Sequence, residues 1–330
     1  MTVMLGYSAL KGVLSMREAI DLLEHAFARE AGGRTSVSPK FVTDFEAGSM
    51  RILFASDPVS GYAAMKAYHG IKGVGTRYVV SLYSLKDGAL LAMLDGQLIT
   101  DLRTGACSGV IGRKVAVSGP VSVGVIGSGN QARKQLECLA AVYKLDSVSV
   151  YSPTAANRER FAREMSKQLG VTVTPVDSVE AAARGKKIVA SGSSARTPEP
   201  ILRGEWLTDC RLLCAVGNTR RQYAEADVHC FRHASLVVVD TLHALEEAGE
   251  LRQAVAAGAL PESKRVTLGQ IVTGKASIPD QGMILFKSVG SALQDLALAS
   301  RYYELLGSKP GPGRGPVDDV GSLRRPLWEA

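Results

Sequence analysis

No apolar run in the 330 residues approaches the about 18 consecutive positions that a membrane-crossing helix needs. The first 14 residues also lack the basic-then-apolar order of a secretory leader, because Gly6, Tyr7, Ser8 and Lys11 interrupt their short apolar pieces. The expected location is therefore cytoplasmic, with no membrane partner. Cysteines are few and odd in number, five in all, and Cys107, Cys138, Cys210, Cys214 and Cys230 are scattered through apolar surroundings. That pattern suits reduced core thiols rather than a disulfide framework. Cys210-x-x-x-Cys214 has only His229, Cys230 and His233 after it, which do not follow at ligand spacing, so no metal is expected. Aromatic residues make up 6% and are not interleaved with basic ones in a stripe. The net charge of +7 is spread along the chain, which argues against nucleic acid and for a mildly basic surface suited to small anions. No internal repeat is present.

What remains is an ordinary globular composition, 46% hydrophobic and 22% charged, in a chain long enough for two cores. Its most legible stretch is the apolar run from Val121 to Ile126, which ends in Gly127-x-Gly129-x-x-Ala132 and passes into a helical pattern. A near-continuous Val/Ile run marks a buried parallel strand. In the turn after it, Gly127 supplies the backbone angles, Gly129 admits a pyrophosphate and Ala132 allows close helix packing. The phosphates would then lie on N–H groups of the helix beginning near Asn130, where the helix dipole favours an anion. Glycine-rich turns also end strands for packing reasons alone. A second strand at 147–151 supplies the context that favours the nucleotide cradle.

Before this stretch, Ser15-Met16-Arg17-Glu18 forms a capping box for a helix whose apolar face is Ala19, Ile20, Leu23, Ala26 and Phe27, stopped by Gly32-Gly33. Strands are expected at 40–45, 51–55, 62–68, 78–85 and 89–95, the last two joined through Asp87-Gly88. Consecutive hairpins imply a mainly antiparallel sheet. Lys66 is a cation inside Ala63-Ala64-Met65-Lys66-Ala67-Tyr68. Burial there demands a carboxylate, internal or incoming, whereas an edge strand would turn it to solvent. Arg103 opens the small-residue stretch Gly105, Ala106, Ser108, Gly109 and Gly112, and offers a planar fork to a carboxylate, unless it caps the helix or pairs with Asp101.

Four separated motifs now stand in order: Lys66; Met93-Leu94-Asp95-Gly96 through Leu102-Arg103-Thr104-Gly105-Ala106; Gly127-Ser128-Gly129-Asn130-Gln131; and Phe286-Lys287-Ser288-Val289-Gly290-Ser291-Ala292-Leu293-Gln294-Asp295. Together, over about residues 16–306, they resemble the ornithine cyclodeaminase/μ-crystallin family. The resemblance implies an α/β protein and a homodimer. A Rossmann NAD(P)-binding domain would span 118–290, and a mainly antiparallel α+β substrate-binding and dimerisation domain would comprise 1–117 with 291–330. It further implies that Lys66 and Arg103 grip a substrate carboxylate, helped by Lys40 or Arg51, and that Thr104, Asn130, Gln131 and Ser288 lie against the cofactor.

Beyond the cradle, the second strand ends in Ser152-Pro153-Thr154 with no Asp or Glu to hold a ribose 2′-hydroxyl. Ser152 and Arg158 would instead meet a 2′-phosphate, which favours NADP(H) over NAD(H). Arg158 would otherwise belong to a solvent face with Arg160, Arg163 and Lys167. Ser191, after the strand at 187–190, and Val216, closing the strand at 212–216, fall at the carboxyl edge where the cofactor would lie. A helix is expected over 241–257 and an amphipathic one over 293–306. From Ser308 the Pro/Gly-rich tail carries no regular pattern.

The informative departure is Thr219. Cyclising and deaminating members of the resembled family carry an Asp there, over the reacting carbon. A hydroxyl has no useful pKa for a base near neutrality, so cyclodeamination loses its proton carrier. The alternative is a one-residue slip in the alignment, with Asp227 or Glu225 supplying the acid. The reading is an NAD(P)H-dependent reductase of a C=N bond beside a carboxylate, such as a cyclic ketimine or the imine of a 2-oxo acid. An amino-acid cyclodeaminase, a dehydrogenase or synthase working through the same imine, and a non-catalytic NADP(H)-binding protein are the alternatives.

Overall fold

The computed structural model describes residues 2–307, apart from 195, 196 and 198. The tail from Ser308 lies outside the described residues. The chain divides into two compact units, Met1–Arg103 with Gly290–Ala330, and Thr104–Val289. The division falls inside one helix, α3 (Gly96–Lys114), between Arg103 and Thr104.

The first unit is a seven-stranded sheet of β1 (Val3–Leu5), β2 (Ser36–Val37), β3 (Phe41–Phe45), β4 (Gly48–Asp57), β5 (Tyr62–Ile71), β6 (Gly75–Ser84) and β7 (Leu90–Asp95), in spatial order β1-β7-β6-β5-β4-β2 with β3 on β4. Only β1 pairs in parallel; the other pairs are antiparallel. Helices α1 (Tyr7–Leu10) and α2 (Met16–Ala31) precede β2. The expected capping box is present on α2: Ser15 Oγ accepts from Glu18 N at 3.2 Å, and the Glu18 carboxylate accepts from Ser15 N at 2.9 Å. In the β6–β7 hairpin Gly88 has φ +75°, and Asp87 accepts from Ala89 N at 3.2 Å.

Strands β4, β5 and β6 each run ten residues, longer than the sequence pattern suggests. Their glycines do not break them. A Cβ on Gly48 would lie 2.0 Å from the Gly70 carbonyl, so bare backbones approach there and the pairing continues. Helix α11 (Ala292–Leu306) packs on β4, β5 and α2. It is not amphipathic as expected: Ala292 through Ser300 are all buried, and the helix behaves as an element of the core. The β3–β4 hairpin, in contrast, leaves Phe41, Val42, Phe45 and Phe54 exposed, with the rings of Phe41 and Phe54 edge to face at 6.1 Å.

The second unit continues through β8 (Val121–Ile126), α4 (Asn130–Val142), β9 (Leu145–Tyr151), α5 (Ala155–Leu169), β10 (Val173–Pro175), α6 (Val179–Ala183), β11 (Ile188–Ser191), β12 (Leu212–Ala215), α7 (Val228–His233), β13 (Ala234–Val239), α8 (Ala244–Glu247), α9 (Gly249–Ala256), β14 (Arg265–Thr267), α10 (Leu268–Val272) and β15 (Met283–Lys287). All eight strands are parallel, in the order β10-β9-β8-β11-β12-β15-β13-β14. Chain order reverses at β8, and in an open α/β sheet ligands bind outside the carboxyl ends of the strands at such a switch point. The molecule is thus an α/β protein with a Rossmann-like parallel sheet and a mostly antiparallel sheet domain.

The helix expected over 241–257 is two helices. Ala248 is extended, with φ −89° and ψ 123°. A Cβ on Gly249 would lie 2.2 Å from the Tyr223 carbonyl, and Gly249 N donates to Arg220 O at 3.2 Å. The helical run breaks there because a loop backbone is seated against that glycine.

Candidate functional site

In the first unit the functional side chains are brought together by the central strand β5. Lys66, paired between Leu53 of β4 and Val80 of β6, is 2% exposed, so it turns inward rather than to solvent. Its Nζ donates to Thr100 Oγ1 at 2.6 Å and to Asp295 Oδ1 at 2.7 Å. Arg103, in the third turn of α3, places Nε 3.6 Å from the same Asp295 oxygen and donates from Nη1 to Gln294 Oε1 at 3.1 Å. It pairs through α11 rather than with Asp101. Gly290, at φ +81°, makes room for this: a Cβ there would lie 2.6–2.8 Å from the Arg103 guanidinium.

Two tyrosines complete the wall. Tyr68 and Tyr78 face each other across β5 and β6, stacked with centroids 5.3 Å apart. The Lys66 ammonium lies 5.4 Å from the Tyr78 ring centre and 5.9 Å from that of Tyr68, within cation–π range. Arg51 lies over the other side of this row, 5.7 Å from the Tyr68 ring, and donates to Ser49 Oγ at 2.9 Å. The charges of Lys40, Arg51 and Arg103 all bear on Tyr68, although burial still raises its phenol above the ordinary value. Of the four expected carboxylate-binding residues, Lys66 and Arg103 meet at Asp295 and Arg51 lies on the Tyr68 ring, while the charge of Lys40 bears on both Lys66 and Tyr68. Burial is the main reason that Lys66 is pulled down to about 8; Arg103 and Lys40 act in the same direction and Asp295 opposes them. Asp295, Gln294, Thr100 and Gly290 were not singled out as site residues from sequence. The signal for two of them was a polar pair, Gln294-Asp295, inside an otherwise apolar helical run.

In the second unit, Gly127 has φ +108°, and a Cβ on it would strike the Gly192 carbonyl at 2.8 Å. Gly129 is different. Its backbone is extended and nothing lies within 4 Å of where a Cβ would stand, so open space faces the start of α4. No side chain caps that helix. Asn130 is buried on its first turn, next to the partly buried Gln131. This geometry fits a dinucleotide pyrophosphate. At the end of β9, Ser152 Oγ accepts from Ser128 Oγ at 2.9 Å, and Arg158 Nη1 donates to the Ser152 carbonyl at 3.2 Å. Arg158 also forms an ion pair with the exposed Asp177. Ser152 and Arg158 are thus adjacent at the position where a ribose 2′-substituent would be read.

The other expected cofactor residues are spread among the strand ends and α3. The Thr104 carbonyl accepts from Gln135 Nε2 at 3.2 Å, and Val216 N donates to Ser191 O at 2.9 Å. Ser191 is wholly buried. Ser288, also buried, donates from Oγ to Asp240 Oδ2 at 2.6 Å.

Thr219 is exposed in the loop that follows β12. The frame of that loop is built from buried charge. Glu225 Oε1 accepts from Ser193 N at 2.9 Å and Oε2 from Gly217 N at 3.0 Å, tying the ends of β11 and β12. Glu250 accepts from Glu225 N at 2.7 Å and forms a fully buried ion pair with Lys287 at 2.6 Å. Lys287 Nζ in turn donates to Asn218 O at 2.5 Å. Burial raises the Glu250 carboxyl against the pull of Lys287. Both alternative acids hold backbone N–H groups. Glu225 is 1% exposed and spends both oxygens on backbone N–H groups, while Asp227 caps α7 through Cys230 N at 2.9 Å and takes Gly204 N at 3.0 Å.

All five cysteines are free and buried, and among the described residues no three His, Cys, Asp or Glu side chains gather as metal ligands. No helix among them is long and apolar enough to cross a membrane.

Comparison with known proteins adds the following. The family model described as "Ornithine cyclodeaminase/mu-crystallin family" matches residues 1–309. Alanine dehydrogenase of Archaeoglobus fulgidus is 30% identical over 312 residues, covering 92% of this chain and 94% of that protein. The structure of Thermococcus litoralis Δ1-pyrroline-2-carboxylate reductase in complex with NADH and L-proline superposes with a TM-score of 0.87 at 30% identity, over 92% of this chain and 97% of that one. An archaeal alanine dehydrogenase dimer with bound NAD gives 0.84 at 28% identity, over 92% and 95%.

Proposed function

Because the chain belongs to the ornithine cyclodeaminase/mu-crystallin family, we propose that it is an NAD(P)H-dependent reductase of a C=N bond next to a carboxylate. The substrate class is a cyclic ketimine such as a pyrroline- or piperideine-2-carboxylate, or the imine of a 2-oxo acid. The observation that carries this reading is the buried cation cluster of Lys66 and Arg103, with Lys40 and Arg51 beside it. Its chemistry is that of a carboxylate clamp, Arg103 offering a planar fork and Lys66 a point charge.

The bound nicotinamide would supply a hydride. Holding the carboxylate fixes the orientation of the imine carbon, and orientation of this kind contributes up to ~7–11 kcal/mol in the best-aligned reactions. Lys66, with its ammonium pulled toward neutrality, gives the imine nitrogen its proton as the carbon is reduced. The residues that would hold the dinucleotide are Thr104, Gly127, Gly129, Asn130, Gln131, Ser152, Ser191, Val216 and Ser288. With Arg158 beside Ser152 and no acidic residue at the end of β9, NADP(H) is favoured over NAD(H). Thr219 brings no acid to the loop after β12, and Glu225 has both oxygens on backbone N–H groups, which supports reduction over cyclodeamination. We further propose a homodimer, for which the exposed apolar residues of the β3–β4 hairpin provide a surface.

A second reading is favoured by the relative that matches over 92% of the chain: an amino-acid dehydrogenase that forms the same imine from a 2-oxo acid and ammonia. One experiment separates these. Oxidation of NADPH and NADH is followed against a panel of cyclic imino acids and of 2-oxo acids with amines. The reductase reading expects turnover with cyclic imines in the absence of ammonia. Turnover with pyruvate and ammonia alone favours the dehydrogenase, and ammonia release from ornithine or lysine with catalytic NAD+ overturns both.

A further inference from the structure

The cluster holds a carboxylate of its own, and the proposed chemistry gives it no part. Asp295 is 1% exposed, stands on the first turn of α11, and places a single oxygen 2.7 Å from Lys66 Nζ and 3.6 Å from Arg103 Nε. Its neighbour Gln294 accepts from the same guanidinium at 3.1 Å, so α11 meets Arg103 through one hydrogen bond and one longer ion pair. Thr100 of α3 holds the other side of Lys66 while donating its own proton to Gly96 O at 2.5 Å. A lysine with 2% exposure would ordinarily shed its proton, and the nearby Arg103 and Lys40 push it further that way. Among the described residues its further charged and titratable neighbours include Tyr68 and Tyr78, whose ring faces lie toward the ammonium, and Arg51 beyond Tyr68.

We propose that Asp295 is a positioning residue: by sharing one oxygen between Lys66 and Arg103 it fixes their mutual orientation and keeps Lys66 a cation, ready for an incoming carboxylate. This rests on the carboxylate-clamp reading above. One anion shared by two cations leaves net positive charge in the cluster, so substrate recognition survives the internal pairing. A purely space-filling Asp295 would leave the charge of Lys66 unaltered when replaced by its isostere.

The test is Asp295→Asn, which keeps shape and an acceptor oxygen while removing the charge. The titration of Lys66 is read directly from its ¹³Cε resonance in lysine-labelled protein, assigned by its loss in Lys66→Arg. An opposite charge at this range is worth about one to three pH units. The expected result is therefore that the Lys66 midpoint falls by at least one unit, and that pyrrole-2-carboxylate, the binding probe, loses about fivefold or more affinity at pH 8 with a smaller loss at pH 6. The alkaline limb of kcat/KM moves to lower pH by the same interval. An unmoved Lys66 midpoint in folded Asp295→Asn overturns the proposal. A shifted midpoint with no binding of the probe by the unaltered protein upholds the electrostatic role and refutes the clamp reading instead. Asp295→Glu provides the check should the amide not fold: the Lys66 midpoint stays near that of the parent while KM rises, and a midpoint lowered as far as a charge loss would lower it overturns the proposal.

Discussion

Replacing Lys66 by Met tests the carboxylate clamp most severely, because it removes charge while retaining much of the volume. Two losses follow and they can be measured apart. The stability loss comes from Asp295, left 1% exposed with Arg103 Nε at 3.6 Å as its compensating charge. Breaking a buried pair from one side costs about 3–5 kcal/mol when the remaining charge is uncompensated, so with Arg103 still beside Asp295 the loss lies toward the lower end of that range. The activity loss has its own source. A hydrogen bond from a charged donor contributes about 1.5–3 kcal/mol, or 10- to 100-fold, and a positioned proton donor adds about 10²–10⁴-fold. Steady-state kcat/KM for pyrroline-2-carboxylate should therefore fall about 10³-fold or more, while NADPH or NADH affinity, followed by nucleotide fluorescence, stays within twofold. Adding Asp295→Asn to Lys66→Met should recover much of the unfolding free energy, measured by urea denaturation, and none of the activity. Near-normal turnover in Lys66→Met removes the lysine from the mechanism. A double variant that regains activity along with stability shows that the first loss was merely structural.

Further outcomes follow from the same geometry. In the reductive direction kcat/KM should be flat below about 8 and fall tenfold per unit above it, because a lysine with its value lowered to about 8 donates a proton only while charged; a pH profile checks this. Gly290→Ala should raise KM tenfold or more with nucleotide binding intact, since the new methyl meets the Arg103 guanidinium at 2.6–2.8 Å. Gly258→Ala, at φ +63° with nothing within 4 Å, should leave KM alone while paying the same backbone strain of about 1–2 kcal/mol. Gly129→Val should leave unfolding free energy within about 0.5 kcal/mol, because its backbone is extended and its surroundings are open, yet weaken NADPH and NADH at least tenfold by calorimetry.

Local chemistry made several elements readable. The Ser15–Glu18 box, the Asp87-Gly88 hairpin and the Val/Ile run into Gly127 each depend on residues a few positions apart, and each stands as expected. Close approach between distant backbones was not readable. Gly48 against Gly70 prolongs a strand, and Gly249 against Tyr223 interrupts a helix, although both positions look alike as glycines in a line of letters. The direction of Lys66 was undecidable for a similar reason: alternation says that side chains face two ways, not which way holds a counter-ion 229 residues along the chain. Arg103 and Asp101 are neighbours in sequence, but residues two apart do not face each other on a helix. The carboxylate partner had to come from elsewhere, and α11 supplied it.

The loop carrying Thr219 is fastened through main-chain groups: Glu225 grips the amides of Gly217 and Ser193, and Lys287 holds the carbonyl of Asn218. A side chain at 219 contributes nothing to that fastening. Exchanging it leaves those main-chain ties in place, so the identity of residue 219 is free to change without cost to the frame that carries it.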